Sequence, residues 1–324
     1  MSRVDIVQEG VFTRLSRVGV NANFKELYAL LGAAIPGTIY YVNLITGNDN
    51  NNGLSWEAPF AQVNQAISVS ESARAARVGG NVYVVNVILV QGCGNTAYDT
   101  LTALPNYTDI IGIGGDFKGD MTGTVVIGAS TTSNGTASLE MRGANWYNIQ
   151  FRGGGSGQSA FKASKVLRCQ FIDCAFFNKG AAGDAGFYVY TTGAHNTFKN
   201  CWLGDTNATF TYGMYIAGTA NWDHCLIEDC FMTGSTAAYK STAYLQNATV
   251  VRRNVCIGGT YGIHDTSTET TLAGNSFYID NPAKASWLKG DDLDVIAAAN
   301  ATIAHFVTKR IPEAQERAAR SEAV

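Results

Sequence analysis

Charge is scarce in this chain. Only 15% of its 324 residues are charged, 26 acidic against 23 basic, for a formal net charge of −3. No basic stripe or Lys/Arg run occurs, so counterion release has no source and a nucleic-acid surface is not expected. Proline is scarce too, with five in all. Long apolar runs are missing: a stretch such as Val82 to Val90 is far too short to cross a bilayer and contains Asn86. The amino terminus, Met1-Ser2-Arg3-Val4-Asp5-Ile6-Val7-Gln8-Glu9, carries charge where a secretory signal needs an apolar block. A soluble protein with no membrane partner and no export is therefore expected. The seven cysteines, Cys93, Cys169, Cys174, Cys201, Cys225, Cys230 and Cys256, are an odd number, which fits free thiols better than a disulfide framework.

What is present is glycine, 35 residues, together with 46% hydrophobic and 11% aromatic residues, enough to bury a sizeable core. Composition divides the chain into three. Residues 1–35 hold a helical pattern in which Phe24, Leu27, Tyr28 and Leu31 recur at three- and four-residue spacing after Asn21 or Asn23, either of which can cap the helix. Pro36-Gly37 ends it. Residues 36–290 are rich in Gly, Asn, Thr and aromatics and carry many short strand-like runs. From residue 291 the pattern is helical again, with Leu293, Ile296, Ile303, Phe306 and Val307 near one face until Ile311-Pro312.

The central region repeats. A small polar residue or Cys precedes an aromatic or aliphatic one at positions led by Asn148, Asp173, Asn200, Asp229, Asn254 and Asn275, spaced by 21 to 29 residues. An interleaved series centres on Phe161, Phe187, Met214, Tyr244 and Ile263. A period this short, built from strand-length pieces, is what one coil of a parallel β-solenoid supplies. No leucine consensus and no Trp-Asp block supports the competing repeats. At about 4.8 Å per stacked strand, the region from Val82 to Ile279 makes about eight coils and a rod of about 40 Å. The pairs Cys169 with Cys174 and Cys225 with Cys230 recur at one place in two coils and read as a ladder of small apolar side chains. A zinc site would need a matching His pair, which is missing. No cofactor is expected.

Tyr40-Tyr41-Val42-Asn43, Thr46-Gly47-Asn48-Asp49-Asn50-Asn51-Asn52-Gly53, Pro59-Phe60 and Val63-Asn64-Gln65-Ala66-Ile67 stand in that order at the start of the central region. This resembles the opening segment of the pectate-lyase-like right-handed β-helix superfamily, common in phage tailspikes. The resemblance covers about 30 residues and, loosely, the coils that follow. It departs at Ala61-Gln62, where the family commonly places a Thr near the start of a capping helix. A helix from about Val63 to Ala76 is expected to lie across the first coil and hide strand edges, and Leu293 to Thr308 to do so at the other end. The segment Val20-Asn21-Ala22-Asn23-Phe24-Lys25-Glu26-Leu27 resembles those ahead of the rod in phage fibre and spike proteins.

Together these resemblances imply an all-β, right-handed parallel β-helix and a homotrimeric virion appendage. Its docking partner would be a major capsid protein or a tail adaptor, with the head surface preferred over the tail. Asn21, Asn23, Phe24, Leu27 and Leu31 would form the anchor and trimer stem, although the same stripe could pack on the chain's own rod.

A glycan-cleaving site needs two carboxylates in one cleft, about 5 Å apart for retention and about 6.5 to 9.5 Å for inversion. Candidates are Asp173, Asp205, Asp223, Glu228, Asp229 and Asp265, and the densest cluster is Asp223-His224 with Glu228-Asp229. The bland alternative is that these are turn residues, since Asp173 and Asp229 share a coil position with Asn200, Asn254 and Asn275. Arg168, Lys199, Arg252 and Arg253 are available as lyase bases, without a calcium cage beside them. His195, His224 and His264 look isolated. Tyr188, Tyr190, Tyr212, Tyr215, Tyr239, Tyr244 and Tyr261 could present a sugar-binding surface, with alternation pointing about half of them outward. A non-enzymatic structural role is expected, and a tailspike that binds or depolymerises a host surface polysaccharide is the alternative.

Overall fold

The computed structural model describes residues 37–76, 84–93, 96–115, 125–128, 139–153, 157–178, 183–204, 210–217, 221–242, 249–265 and 277–279. The anchor residues Asn21, Asn23, Phe24, Leu27 and Leu31 and the carboxy-terminal segment lie outside them.

The chain is an all-β parallel solenoid. Among the described residues its strands stack into three parallel sheets of nine, six and seven strands, and from Val125 onward the chain passes from the second sheet to the third to the first in each winding. The first sheet carries one inward row in register along its length: Tyr40, Ile88, Ile110, Trp146, Phe171, Phe198, Ile227 and Val251. The second contributes Phe151, Phe176, Leu203, Met232 and Cys256. The third contributes Phe161, Phe187, Met214, Tyr239 and Ile263. All these side chains are buried. Like rings therefore sit on like rings from coil to coil, as in Phe161 over Phe187 at 5.2 Å and Phe171 over Phe198 at 4.8 Å, both nearly parallel.

The corners explain the polar half of the repeat. Asn148, Asp173, Asn200, Asp229 and Arg253 all have φ between 51° and 55°, the left-handed region that Asn and Asp tolerate best. Each turns the chain from the first sheet to the second. The backbone N–H of Asp173, Asn200 and Asp229 donates to the carbonyl of Lys199, Glu228 and Arg252 in the next coil. The reading of Asp173 and Asp229 as turn residues matches this placement. Two assignments shift, however. The fifth corner is Arg253, not Asn254, whose buried amide instead accepts from Cys230 N–H and donates to Ile227 O. The fourth member of the interleaved series is Tyr239, in register with Met214 and Ile263. Tyr244 lies outside the described residues.

A second row of left-handed corners, Tyr107, Gly143, Arg168, His195 and His224, leads from the third sheet back to the first. Inside the corners run the thiols. Cys174, Cys201 and Cys230 follow the Asp173, Asn200 and Asp229 corners, while Cys169 and Cys225 follow the other row with Asn196 between them. All seven cysteines are free and buried. The expected apolar ladder is present.

The opening segment closes the first end by a division of labour. Strand Ile39–Val42 has its outer edge paired by the loop itself: Tyr41 N–H donates to Gly53 O, and Phe60 N–H to Tyr41 O. Helix α1, Val63–Ala75, then covers the core with Val63, Ala66, Ile67 and Ser70, the i, i+3, i+4, i+7 stripe. The edge protection expected of the helix thus comes from the loop. Gln62, at the N-cap, makes no side-chain cap bond. Asp49 instead fixes the chain just ahead of the helix, its Oδ1 accepting the N–H of Ala61 and of Gln62, each at 2.9 Å. Asp49→Ala is expected to cost about 1 to 2 kcal/mol, read as a lower urea midpoint, with Asp49→Asn losing less.

Candidate functional site

The outward face of the third sheet carries an ordered row. Strands Phe161–Leu167, Gly183–Ala194, Phe210–Ile216, Ala237–Ser241 and Tyr261–Asp265 place Lys162, Tyr188, Tyr215, Lys240 and His264 in one register line along the rod. Each sits one residue beyond an inward position, so alternation turns it away from the core, with Lys162, Tyr188, Tyr215 and His264 partly exposed and Lys240 buried. Tyr188 and Tyr215 stack at 4.8 Å and 14°, and Tyr212 leans on Tyr215 at 4.8 Å. The Lys162 ammonium lies over the rings of Tyr188 and Tyr190 at 5.0 and 5.5 Å. At the far end Lys240 Nζ meets His264 Nδ1 at 2.8 Å, and Tyr261 stacks on His264 at 4.2 Å.

Among the tyrosines singled out above, Tyr188, Tyr190, Tyr212, Tyr215 and Tyr261 are partly exposed, whereas Tyr239 is a core residue. Partial burial, reinforced by Tyr215 and Asp184, pushes the Tyr188 hydroxyl up to about 12. Burial also raises Tyr212 and Asp184, the latter countered by Lys162. These phenols therefore stay neutral near pH 7 and both donate and accept hydrogen bonds. A line of ring edges and hydroxyls repeating at about 4.8 Å, with the Lys162 ammonium at one end, suits a polyhydroxylated ligand lying along the rod.

The carboxylate cluster is arranged differently. Asp223 and His224 precede strand Leu226–Glu228, and Glu228 and Asp229 follow from its far end, with about 13 Å of extended chain between His224 and Glu228. The two halves do not share a cleft. Glu228 instead pairs in register with Lys199 on one side and Arg252 on the other. Its Oε2 accepts from Arg252 Nη2 at 2.6 Å and Arg253 Nη2 at 3.0 Å, and Lys199 Nζ lies 3.4 Å from Oε1. Arg253 also holds Asp229 at 2.8 Å. The Arg252 hydrogen bonds hold Glu228 below the usual carboxylate range, and Arg253 does the same for Asp229. A general acid needs the opposite shift.

Asp173 accepts from Asn200 Nδ2 at 2.6 Å, a corner-to-corner bond. Asp265 ends a strand in register with Ser241, and Asp205 lies outside the described residues. Of the proposed bases, Lys199, Arg252 and Arg253 are tied into this ion-pair ladder. Arg168 is an exposed corner. The histidines are not isolated: His195 and His224 stack at 5.0 Å on successive corners, and His264 belongs to the tyrosine wall.

A cleft of about 270 Å³ lies between α1 and the third sheet, lined by Arg74, Tyr107, Glu140, Arg142 and Lys165 among others. Its charges are largely spoken for, Arg74 by Glu71 and Lys165 by Glu140. Among the described residues no group of three or more His, Cys, Asp and Glu is placed to hold a metal ion. Burial pushes the Cys169 thiol up to about 11, which leaves it a poor ligand or nucleophile. Among the described residues no helix is long and apolar enough to cross a membrane.

No family model and no curated protein matches the chain. Among solved structures, the chain is similar to the deglycosylated pectin methylesterase from Aspergillus niger, with a TM-score of 0.36 and 12% identity over 78% of this chain and 87% of that one. It is also similar to ORF18 of Geobacillus virus E2, with a TM-score of 0.26 and 11% identity over 84% of this chain and 66% of that one. Likenesses this distant say nothing about chemistry or assembly.

Proposed function

We propose that the protein is a structural component of a bacteriophage particle, a β-solenoid spike or decoration whose third-sheet wall engages a host surface polysaccharide. The observation that carries the contact is the register line that sets the partly exposed Lys162, Tyr188, Tyr215 and His264 on one outward face. The rod itself supports the structural role, because stacked coils with a continuous aromatic core make a stiff projection. In the fuller form of this reading the protein is a homotrimer. Residues 1–35 fix it to the virion surface, through Asn21, Asn23, Phe24, Leu27 and Leu31, on a major capsid protein or a tail adaptor, with the head preferred. The docking resemblance at Val20 to Leu27 motivates that part.

Binding without cleavage fits the observed carboxylates, since Glu228 and Asp229 are committed to arginines. Purified protein is expected to retain host envelope polysaccharide, and the double substitution Tyr188→Ala/Tyr215→Ala to weaken retention by tenfold or more, from about 1 to 3 kcal/mol per lost aromatic platform. Unchanged affinity in the double variant would remove the wall from the reading. Assays of the same incubations for new reducing ends or unsaturated sugars separate binding from depolymerisation. Imaging of intact particles locates the protein on head or tail.

A further inference from the structure

We propose that the cleft between α1 and the third sheet binds a phosphate group, free or carried as a monoester on a sugar. The sugar-borne form rests on the polysaccharide reading above, whereas the preference for phosphate stands on the cleft alone.

Three backbone segments bring cations to one opening. Arg74 comes from the last turn of α1, Arg142 from strand Glu140–Arg142, and Lys165 from the neighbouring strand Phe161–Leu167, which pairs with it in parallel. Met141 and the Tyr107 ring supply apolar lining. That ring lies against Gly143, whose φ is 59° and where a Cβ would come within 2.8 Å of it. Glu71 locks the helix side by accepting the Asn106 N–H at 2.7 Å and Arg74 Nη2 at 2.6 Å. The Arg74 guanidinium then lies 5.9 Å from the Tyr107 centroid. The cations are in place before a ligand arrives, which lowers the cost of binding.

Donors are left over. Among the described residues Arg142 makes no ion pair. Arg74 Nε is buried without a hydrogen-bond partner, a state that buried polar atoms seldom keep. The Lys165 ammonium is a triple donor, and Glu140 takes one of its hydrogens.

Charge and shape select the ligand. Arg74, Arg142 and Lys165 face Glu140 and, behind Arg74, Glu71; three cations against two carboxylates leave a surplus of one, which favours an anion. A carboxylate offers two oxygens in one plane, which a single arginine fork takes up whole. A phosphate monoester offers three acceptor oxygens on a tetrahedron, and donors from a helix and two strands reach it from three sides. At about 270 Å³ the cleft falls below the roughly 300 to 1,000 Å³ of sites that enclose a drug-sized ligand. It therefore takes one charged substituent and the ring that bears it, not a length of chain.

The test titrates the full chain by calorimetry at low ionic strength with inorganic phosphate, glucose 1-phosphate and glucuronate. Both phosphates are expected to bind more tightly than the carboxylate. Arg142→Ala, a change at an exposed side chain, is expected to weaken them by about tenfold or more. Glu140→Gln is expected to tighten them by about threefold or more, because it removes a like charge from the lining and keeps its shape. Tighter binding of glucose 1-phosphate than of inorganic phosphate assigns the site to a sugar phosphate, and equal binding assigns it to free phosphate. Absence of phosphate binding, glucuronate bound as tightly as phosphate, or unchanged affinity in Arg142→Ala overturns the cleft as a phosphate site. Polysaccharide retained without phosphate binding overturns the cleft and leaves the third-sheet wall standing; phosphate bound without retained polysaccharide does the reverse.

Discussion

Phe187→Ala is expected to lower the stability of the solenoid by about 3 to 5 kcal/mol, the range for emptying a well-packed aromatic site. Phe187 stacks on Phe161 at 5.2 Å and meets Phe171, Phe176 and Phe198 edge-on at 5.3, 5.7 and 4.7 Å. It touches the inward rows of all three sheets, so its removal leaves a void that no single strand can close without dragging its own register line. Edge-to-face contacts of this kind contribute about 0.5 to 1.5 kcal/mol each beyond area burial. Urea denaturation followed by tyrosine and tryptophan fluorescence reads the loss as a shifted midpoint. Phe187→Leu, which keeps most of the volume, is expected to lose less than half as much. A cost below about 1 kcal/mol for the alanine variant would mean that the coils are held by their backbone ladders and not by this core.

Much of this arrangement was legible in the sequence because a solenoid writes its geometry once per coil. Asn and Asp before an aromatic residue mark the corner between first and second sheets, since few other side chains tolerate a positive φ there. The rule fails where a coil uses another residue. Arg253 holds the same φ as Asp229, and the neighbouring Asn254 drew the alignment one position off. The other row of corners was harder to see for that reason, being built, apart from Gly143, from Tyr107, Arg168, His195 and His224, types with a weaker turn signal than Asn or Asp.

The tyrosine wall was half legible. Alternation predicts that some tyrosines face outward, but the strand Gly183–Ala194 breaks its pairing register with the preceding strand between Val189 and Thr192, so counting along it cannot carry the phase. Close approach is equally silent in sequence: Gly193 faces the Trp222 ring of the next coil, where a Cβ would come within 2.1 Å of it. Asp49 is a third case, since a carboxylate 13 residues ahead of Gln62 reaches the entry to the helix only when the loop folds back.

Glu228→Ala is expected to be the most costly change on the outer surface, because one carboxylate serves three cations on neighbouring strands. Its side chain is 7% exposed, but Lys199, Arg252 and Arg253 are 51%, 39% and 47% exposed. A fully buried pair broken from one side costs about 3 to 5 kcal/mol, and exposed pairs contribute about 0 to 1. With one buried partner and three partly solvated ones, about 2 kcal/mol is expected. The loss includes the repulsion of like charges that Glu228 now separates.

The pH dependence identifies the source. Folding holds Glu228 below its ordinary value, chiefly through Arg252. The unfolded chain thus binds the proton more readily, and stability falls as the proton goes on. The contribution is complete above the unfolded glutamate value of about 4.3 and is lost as pH drops through the lower, folded value. Wild type and Glu228→Ala should therefore differ most at neutral pH and converge in acid, with Glu228→Gln following the alanine variant in its flattened pH profile. Equal slopes for all three proteins below pH 4 would place the acid sensitivity elsewhere and leave Glu228 as packing alone.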